Sequence, residues 1–344
     1  MTFTLLRRVA KVLFVLDTVL ILYSLVGLWF VLSGRFAVPQ MNLPLATTIL
    51  ASLSIGLAFF GSLFHAIATQ GTKVALRIVV AACSLSLGME LLGTMTGLPF
   101  GRYSYTGLLG PKILGHVPVV LPLSWFAVYY PALLLAVRIT GNRTGTALCA
   151  ALVLTLWDVP MDPASTTGFA SWVWHQTGPY YGMPLTNWMG WILTGWMIGV
   201  AVRWKRIGGT SALNTEDVMI PLGIYFIQGL QPAVMAILVN RPGAALLWCV
   251  GMAVVGFLAL RKHPALVPYL GGQDRRVGLA RAVEVGGLQR LREVAHRFAR
   301  LQALRGGGAG EHVVDGHVGG QLLGEGFGPG GRGAADGVGD AEVR

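Results

Sequence analysis

The stretch that decides the fold is VLFVLDTVLILYSLVGLWFVL, residues 12–32, in which Asp17 is the only charged side chain. A helical run of about 20 apolar residues is long enough to cross the hydrocarbon layer of a membrane. The run is longer than the apolar part of a signal peptide, and it ends in Ser33-Gly34-Arg35 rather than in a small-residue cleavage site. It therefore predicts a transmembrane helix.

Similar apolar runs recur along the chain, and the composition agrees with them. Hydrophobic residues make up 54% of the sequence and charged residues 12%, whereas soluble domains carry about 25% charged residues. We expect an all-α fold, a polytopic transmembrane helical bundle of about eight spans, of which the fifth and sixth are short. The predicted spans are 12–32, 43–67, 74–94, 118–137, 144–157, 188–202, 218–239 and 244–260.

The distribution of Lys and Arg predicts the orientation of the bundle. These residues are concentrated in the segments that would lie inside if the N-terminus is cytoplasmic, as the positive-inside rule requires. The expected location is the cell membrane, with several passes through it. The same bias accounts for much of the net charge of +11. Anionic lipid head groups are therefore the expected partners of the basic residues, and nucleic acid is not needed as one.

The composition changes abruptly at Gln273. The residues that follow lack Ser, Thr, Asn, Lys, Ile, Met, Cys, Trp and Tyr. Nearly all of them have codons that can begin with G or C, which is what a shifted reading frame produces in a GC-rich gene. We therefore expect a transmembrane catalytic domain in 1–270 and a Gly/Arg-rich tail in 271–344 that is either disordered or a frameshift artefact.

Acidic residues are rare outside this tail. The first 272 residues contain six, namely Asp17, Glu90, Asp158, Asp162, Glu216 and Asp217. The last two fall in a polar inner loop. A charge at the bilayer centre costs ~2.5–3.5 kcal/mol, so acids kept within spans usually face a cavity and serve a function. Asp17 follows Lys11 by about one and a half helical turns and has the weakest functional case, whereas Glu90 precedes a loop rich in Gly, Tyr and Pro.

Two carboxylates close the fifth predicted span, in LWDVPMDPAS, residues 156–165. Asp158 and Asp162 are four residues apart and would share one face of a helix. Pro160 and Pro163 predict that the helix kinks or ends here. Two adjacent carboxyl groups in a medium of low dielectric cannot both ionise cheaply, so one of them is expected to stay protonated and to act as an acid.

Aromatic residues crowd the next outer segment. They are Trp172, Trp174, Tyr180, Tyr181, Trp188 and Trp191, and His175 and Asn187 accompany them. Some would anchor the protein at the membrane interface, and the others could stabilise a cation by ~0.5–2 kcal/mol each. We expect one cavity near the outer leaflet, served by the third, fifth and sixth spans, to collect these rings with Glu90, Asp158 and Asp162.

A series of short motifs in residues 10 to 265 carries a family resemblance. The motifs are Glu90 with Gly97, Pro99-Phe100-Gly101, Tyr103-x-Tyr105, Gly115-x-Val117-Pro118, Pro122-Leu123-x-Trp125, Asp158, Asp162-Pro163, Trp172-x-Trp174, Gly178-x-Tyr180-Tyr181-Gly182-x-Pro184-Leu185-x-Asn187 and Gly190-Trp191. In this order and spacing, the chain resembles the membrane-bound carotenoid hydratases of bacteria and archaea, a family broadly described as carotenoid biosynthesis proteins.

The resemblance implies hydration of the terminal 1,2 double bond of an acyclic (ψ) carotenoid end, giving a tertiary 1-hydroxy group. A carotenoid such as lycopene or γ-carotene, taken from the bilayer, would be the substrate, and other enzymes of the pathway are possible partners. Protonation of the alkene gives a tertiary cation that water captures, so no metal or other cofactor is expected.

We assign the proton to the Asp158/Asp162 pair, with Glu90 orienting the water or sharing the acid role. Trp172, Trp174 and Tyr181 would shield the cation. The expected substrate-binding residues are these three with Asn187, Tyr103, Tyr105 and Trp191. Two alternatives stay open: a carotenoid cyclase, in which an internal alkene traps the cation, and a transporter or lipid-binding protein without catalysis.

Overall fold

The computed structural model describes residues 3–35, 42–140, 142–202 and 215–261, so the predicted tail at 271–344 lies outside the described residues. Within those ranges the chain forms eight α-helices and four short strands. The helices are α1 Phe3–Leu32, α2 Leu43–Gln70, α3 Thr72–Thr96, α4 Val120–Ile139, α5 Arg143–Ala164, α6 Thr186–Ala201, α7 Thr215–Leu238 and α8 Pro242–Arg261. The strands are β1 Tyr103–Tyr105, β2 Lys112–Ile113, β3 Val117–Pro118 and β4 Trp172–Trp174.

Seven of these helices are long and apolar enough to cross a membrane. The exception is α6, whose 16 residues span about 24 Å at 1.5 Å per residue, somewhat less than the hydrocarbon thickness of about 30 Å. The predicted polytopic helical bundle is confirmed. The cytoplasmic position of the N-terminus stays a prediction.

Helix α4 lies at the centre of the bundle. Most of its length is buried, and it packs against α2, α3, α5 and α7. Helices α1 and α8 are the opposite case, because many of their large apolar side chains are exposed, which is what helices facing lipid require.

Helix α5 is longer than its predicted span of 144–157. It does not end at Pro160 or Pro163 but continues to Ala164 and then into a π-helical turn, Ser165–Phe169. An end of the helix at Pro160 is therefore excluded, and the α-helix gives way to the π-helical turn two residues after Pro163. The prediction of an inner loop at 216–217 is also wrong, because both residues lie in the first turn of α7.

The reason that helices run through prolines is visible in the hydrogen bonds of the freed carbonyl groups. A proline inside a helix leaves the carbonyl four residues earlier without its usual N–H donor, and a membrane offers no water to replace it. At three such positions a side chain from elsewhere in the chain donates instead. The bonds are Ser62 Oγ to Ala127 O (3.4 Å), Tyr180 Oη to Val159 O (3.0 Å) and Trp157 Nε1 to Gln228 O (2.9 Å).

Candidate active site

Two segments that are far apart in sequence form one aromatic ribbon over the helices. Strand β1 pairs antiparallel with β4, so that Tyr103 faces Trp174 and Tyr105 faces Trp172. Side chains alternate between the two faces of a strand. The four rings therefore share the inner face of the ribbon, with ring centroids 5.2 Å apart for Tyr103 and Trp174 and 6.2 Å apart for Tyr105 and Trp172.

Glu90, on α3, receives hydrogen bonds on both of its oxygens. Oε2 accepts from the hydroxyl groups of Tyr103 (2.5 Å) and Tyr105 (2.7 Å), and Oε1 accepts from the indole Nε1 of Trp125 on α4 (3.1 Å). Gly93, less than one turn further along α3, makes the approach of Tyr103 possible, because a Cβ there would lie 3.0 Å from the tyrosine oxygen. The Glu90 carboxyl is buried and tied to three donors.

Asp162, near the end of α5, is held by the other strand of the ribbon. Its Oδ1 accepts from Nε1 of Trp172 (2.9 Å) and of Trp174 (3.1 Å), and Trp174 also reaches Oδ2 (3.2 Å). An indole N–H can only donate. Both donors therefore favour an ionised Asp162.

Asp158, one turn earlier on α5, has a different environment. Its Oδ2 accepts one hydrogen bond, from Nδ2 of Asn187 on α6 (2.9 Å). Among the described residues no donor is bonded to Oδ1, although Asp158 is only 1% exposed. It also lies close enough to Asp162 and Glu90 for both to act on it electrostatically.

These hydrogen bonds divide the three acids into two kinds. Donors to both oxygens stabilise the carboxylate form, which describes Glu90 and Asp162. Three negative charges close together in a buried site would repel one another strongly. A proton shared by the cluster is therefore best placed on Asp158, because a protonated carboxyl group there disturbs the fewest hydrogen bonds.

The two tyrosines of the ribbon remain hydrogen-bond donors at neutral pH. Burial raises the pKa of Tyr103, and the charge of Glu90 raises it further. The same two causes, in the same order, raise the pKa of Tyr105. Both phenols therefore stay protonated and keep their hydrogen bonds to Glu90.

The three acids line one cavity of about 140 Å³. Its wall is mostly apolar and aromatic, with Trp157, Trp191 and Phe169 among the rings that contribute to it. Trp191 stacks on Trp125, with centroids 4.1 Å apart and planes inclined by 15°. A cavity with apolar walls, aromatic faces and one group of acids can hold the apolar end of a ligand and stabilise positive charge on it.

Most of the predicted site residues meet at this cavity. Those that line it are Glu90, Asp158, Asp162, Tyr103, Tyr105, Trp172, Trp174, Asn187 and Trp191. Tyr181 is not brought there: it is 39% exposed, and its ring lies 5.5 Å from the guanidinium carbon of Arg241. The cavity also takes walls from α2, α4 and α7, and so more helices serve it than the three predicted.

Two residues of the site were missed as functional candidates. Trp125 belongs to a motif quoted above, but its bond to Glu90 depends on how α4 meets α3. Gln228 lies in the middle of α7 and lines the cavity. An amide side chain inside an apolar span was a usable signal for it, since such groups bond across helices in a membrane.

Within the described ranges, no group of three His, Cys, Asp or Glu side chains is arranged to hold a metal ion. The three cysteines are free and lie apart from one another.

Comparison with known proteins places the chain in a biosynthetic context. The model of the family described as carotenoid biosynthesis protein matches residues 44–256. The chain is also similar to bisanhydrobacterioruberin hydratase of Haloarcula japonica, with 36% identity over 122 residues. That alignment covers 34% of this chain and 41% of the relative, so less than half of the relative's length is spanned. No solved structure matches the chain.

Proposed function

The chain belongs to the carotenoid biosynthesis protein family, and from that premise we propose that it is a carotenoid hydratase. It adds water to the terminal 1,2 double bond of an acyclic carotenoid end, of the lycopene or γ-carotene kind, and produces a tertiary alcohol at C1. The observation that carries the proposal is the unequal bonding of three buried carboxyl groups around one apolar cavity. The hydratase named above supports it, as a relative that shares part of its length.

The first step is proton transfer from Asp158 to C2 of the alkene. Asp158 is the acid with the fewest hydrogen-bond donors, so it can hold the proton and release it into the cavity. The π electrons of the double bond form the new C–H bond, and C1 becomes a tertiary cation. A positioned acid of this kind contributes about 10²–10⁴-fold to the rate.

The cation is stabilised by charges that are already in place. In this proposal Glu90 and Asp162 act as carboxylates, and five donors from the ribbon and α4 favour that form. Fixed charges in a buried site of low dielectric act strongly on the charge that develops in the transition state. The faces of Trp172, Trp174 and Trp191 add cation–π attraction.

Water then closes the reaction. Its oxygen bonds to C1, and the resulting oxonium gives one proton back to the Asp158 carboxylate. The alkene has gained one water, and the acid is ready for the next turnover.

The test is expression of the full chain in a host that accumulates lycopene, followed by mass analysis of the carotenoids. The expected product is heavier by one water for each ψ end that has reacted. A ring without added mass would mean that an internal alkene traps the cation and that the protein is a cyclase. Unchanged lycopene beside well-inserted protein would contradict both enzymes and favour a carrier.

A further inference from the structure

A second buried polar cluster, outside the carboxylate site, joins three helices. It consists of Asp17 on α1, Ser54 on α2 and Gln228 on α7, which are 0%, 1% and 4% exposed. Asp17 Oδ1 accepts from Ser54 Oγ (2.6 Å), and Asp17 Oδ2 accepts from Gln228 Nε2 (2.9 Å). Gln228 Nε2 also lies 2.8 Å from Ser54 Oγ.

The bonds of this cluster fix the orientation of the Gln228 amide. Ser54 gives its one hydrogen to Asp17, so its oxygen must accept the bond from Gln228. Both hydrogens of the Gln228 amide nitrogen are then used, one on Asp17 and one on Ser54. A flipped amide would place its carbonyl oxygen against the oxygens of Asp17, which the ionised carboxylate disfavours.

The carbonyl oxygen of the same amide, Oε1, is therefore turned away from Asp17. No donor among the described residues is bonded to Oε1, yet the atom is not fully enclosed, and Gln228 lines the cavity of the three acids. The main chain at this position is held as well, because the Gln228 carbonyl accepts from Trp157, another residue of the cavity wall.

We propose that Gln228 Oε1 binds the water molecule that captures the cation, and that Asp17 and Ser54 are positioning residues that hold this oxygen in the cavity. The inference rests on the proposed hydratase function. A water that attacks C1 must direct a lone pair at the carbon and its hydrogens at acceptors. An amide oxygen is a good acceptor but a very weak base, so it holds water without removing protons from the cation.

The fate of a cation that lacks this water supplies the readout. It loses a proton from a carbon next to C1, either returning to the original alkene or forming an isomer with a shifted double bond. In D₂O the acid delivers a deuteron to C2, so an isomer formed by proton loss from a methyl group retains deuterium. The ratio of deuterated isomer to alcohol measures water capture separately from protonation.

The experiment compares the full-length wild type with Gln228→Leu and Asp17→Asn, in membranes supplied with lycopene in D₂O. Gln228→Leu is expected to lower the alcohol about 10- to 100-fold while the ratio of deuterated isomer to alcohol rises. Asp17→Asn should change the ratio in the same direction by less, because an asparagine no longer dictates which way the amide points. Thr18→Val is the matched control, since Thr18 bonds only to the carbonyl of Phe14 in its own helix.

An exchange of the two side chains guards against simple misfolding. In the double variant Asp17→Asn with Gln228→Glu, the total charge is kept and the three side chains can still bond to one another, so the cluster should form. A carboxylate oxygen then faces the cavity in place of the amide oxygen, and because it is a stronger base the ratio of deuterated isomer to alcohol should stay above that of the wild type. A wild-type ratio in this variant would show that the amide is not needed.

The outcomes separate the two proposals. If the wild type makes alcohol and Gln228→Leu loses alcohol and deuterated isomer equally, Gln228 is only structural and the inference is wrong. If the wild type forms neither alcohol nor deuterated alkene, the proposed function itself fails. An Asp17→Asn protein with the wild-type ratio would overturn the positioning role of Asp17.

Discussion

Asp158 and Glu90 line the same cavity and are both buried, yet their surroundings differ. Glu90 receives three hydrogen bonds, from two strand residues and one helix residue. Asp158 receives one, from Asn187. Burial therefore does not distinguish the proposed proton donor from the proposed fixed charge in this site, whereas the number and kind of hydrogen-bond donors do.

The comparison also explains why the two segments that carry β1 and β4 must meet. Neither strand of the ribbon could be stable alone, because strands of three residues have few ladder bonds. Paired, they direct Tyr103 and Tyr105 to one acid and Trp172 and Trp174 to another. The ribbon thus supplies hydrogen-bond donors to Glu90 and Asp162, whereas the donor to Asp158 is Asn187 on α6.

Loss of the proton donor is expected to have the largest effect. Asp158→Asn keeps the size and one oxygen of the side chain but has no acidic proton to give. We expect kcat to fall about 10²–10⁴-fold, with little change in stability, since Asn187 can still donate to the new amide. Carotenoid turnover and the thermal midpoint in detergent measure the two quantities. Thr155→Val, one turn away and bonded only within α5, is the control, and an active Asp158→Asn enzyme would refute the assignment.

Replacement of Glu90 should act mainly on the stability of the protein. Glu90→Gln places an NH₂ group among donors that have no other acceptor, and an unsatisfied buried group costs about 1–3 kcal/mol. We expect the free energy of unfolding to fall by that amount and turnover to fall less than in Asp158→Asn. Denaturation in detergent provides the measurement, with Thr94→Val, whose hydroxyl bonds only within α3, as the control. A Glu90→Gln protein as stable as the wild type but inactive would exchange the roles of the two acids.

Removal of one donor should have an intermediate effect. Tyr105→Phe leaves Glu90 with two hydrogen-bond donors, Tyr103 and Trp125. A hydrogen bond to a charged group contributes about 1.5–3 kcal/mol to stability. We expect a loss of stability toward the lower end of this range and a several-fold loss of turnover. Tyr23→Phe is the matched control, because Tyr23 is 71% exposed on α1. Equal effects of the two substitutions would mean that the bond to Glu90 contributes nothing.

The smallest effect is expected from loss of a hydrogen bond to the main chain next to Asp158. Tyr180→Phe removes the donor to the Val159 carbonyl that Pro163 leaves free. An ordinary hydrogen bond contributes about 0.5–1.5 kcal/mol, and we expect a loss of this size, with a small decrease in turnover because α5 also carries the acids. The measurement is the thermal midpoint of Tyr180→Phe beside that of Tyr23→Phe, and identical midpoints would show that this carbonyl needs no partner.

The spans and the acids could be predicted from the sequence because each depends on local chemistry. Long apolar runs must be helices in a bilayer, and an acid within such a run is costly enough to need a reason. The spacing of Asp158 and Asp162 placed them on one helical face, and both line the cavity. The aromatic segments were recognised from composition alone.

Other expectations failed where the outcome depended on distant parts of the chain. Helix α5 continues past Pro160 to Ala164, and the hydroxyl group of Tyr180, 21 residues away in sequence, donates to the Val159 carbonyl that Pro163 leaves free. Tyr181 has the composition of a cation-shielding residue, but it lies beside Arg241 and away from the cavity. Gln228 bonds to Asp17 and Ser54 because α7 packs beside α1 and α2.

The sequence by itself determined that this chain is a membrane helical bundle with a few acidic residues inside its apolar helices, because hydrophobicity and charge are properties of individual residues. Only the tertiary structure decided how the surroundings of the three acids differ, and the proposed proton donor rests on that difference. The difference depends on which donors reach each carboxyl oxygen, and those donors come from strands and helices that the folded chain brings together.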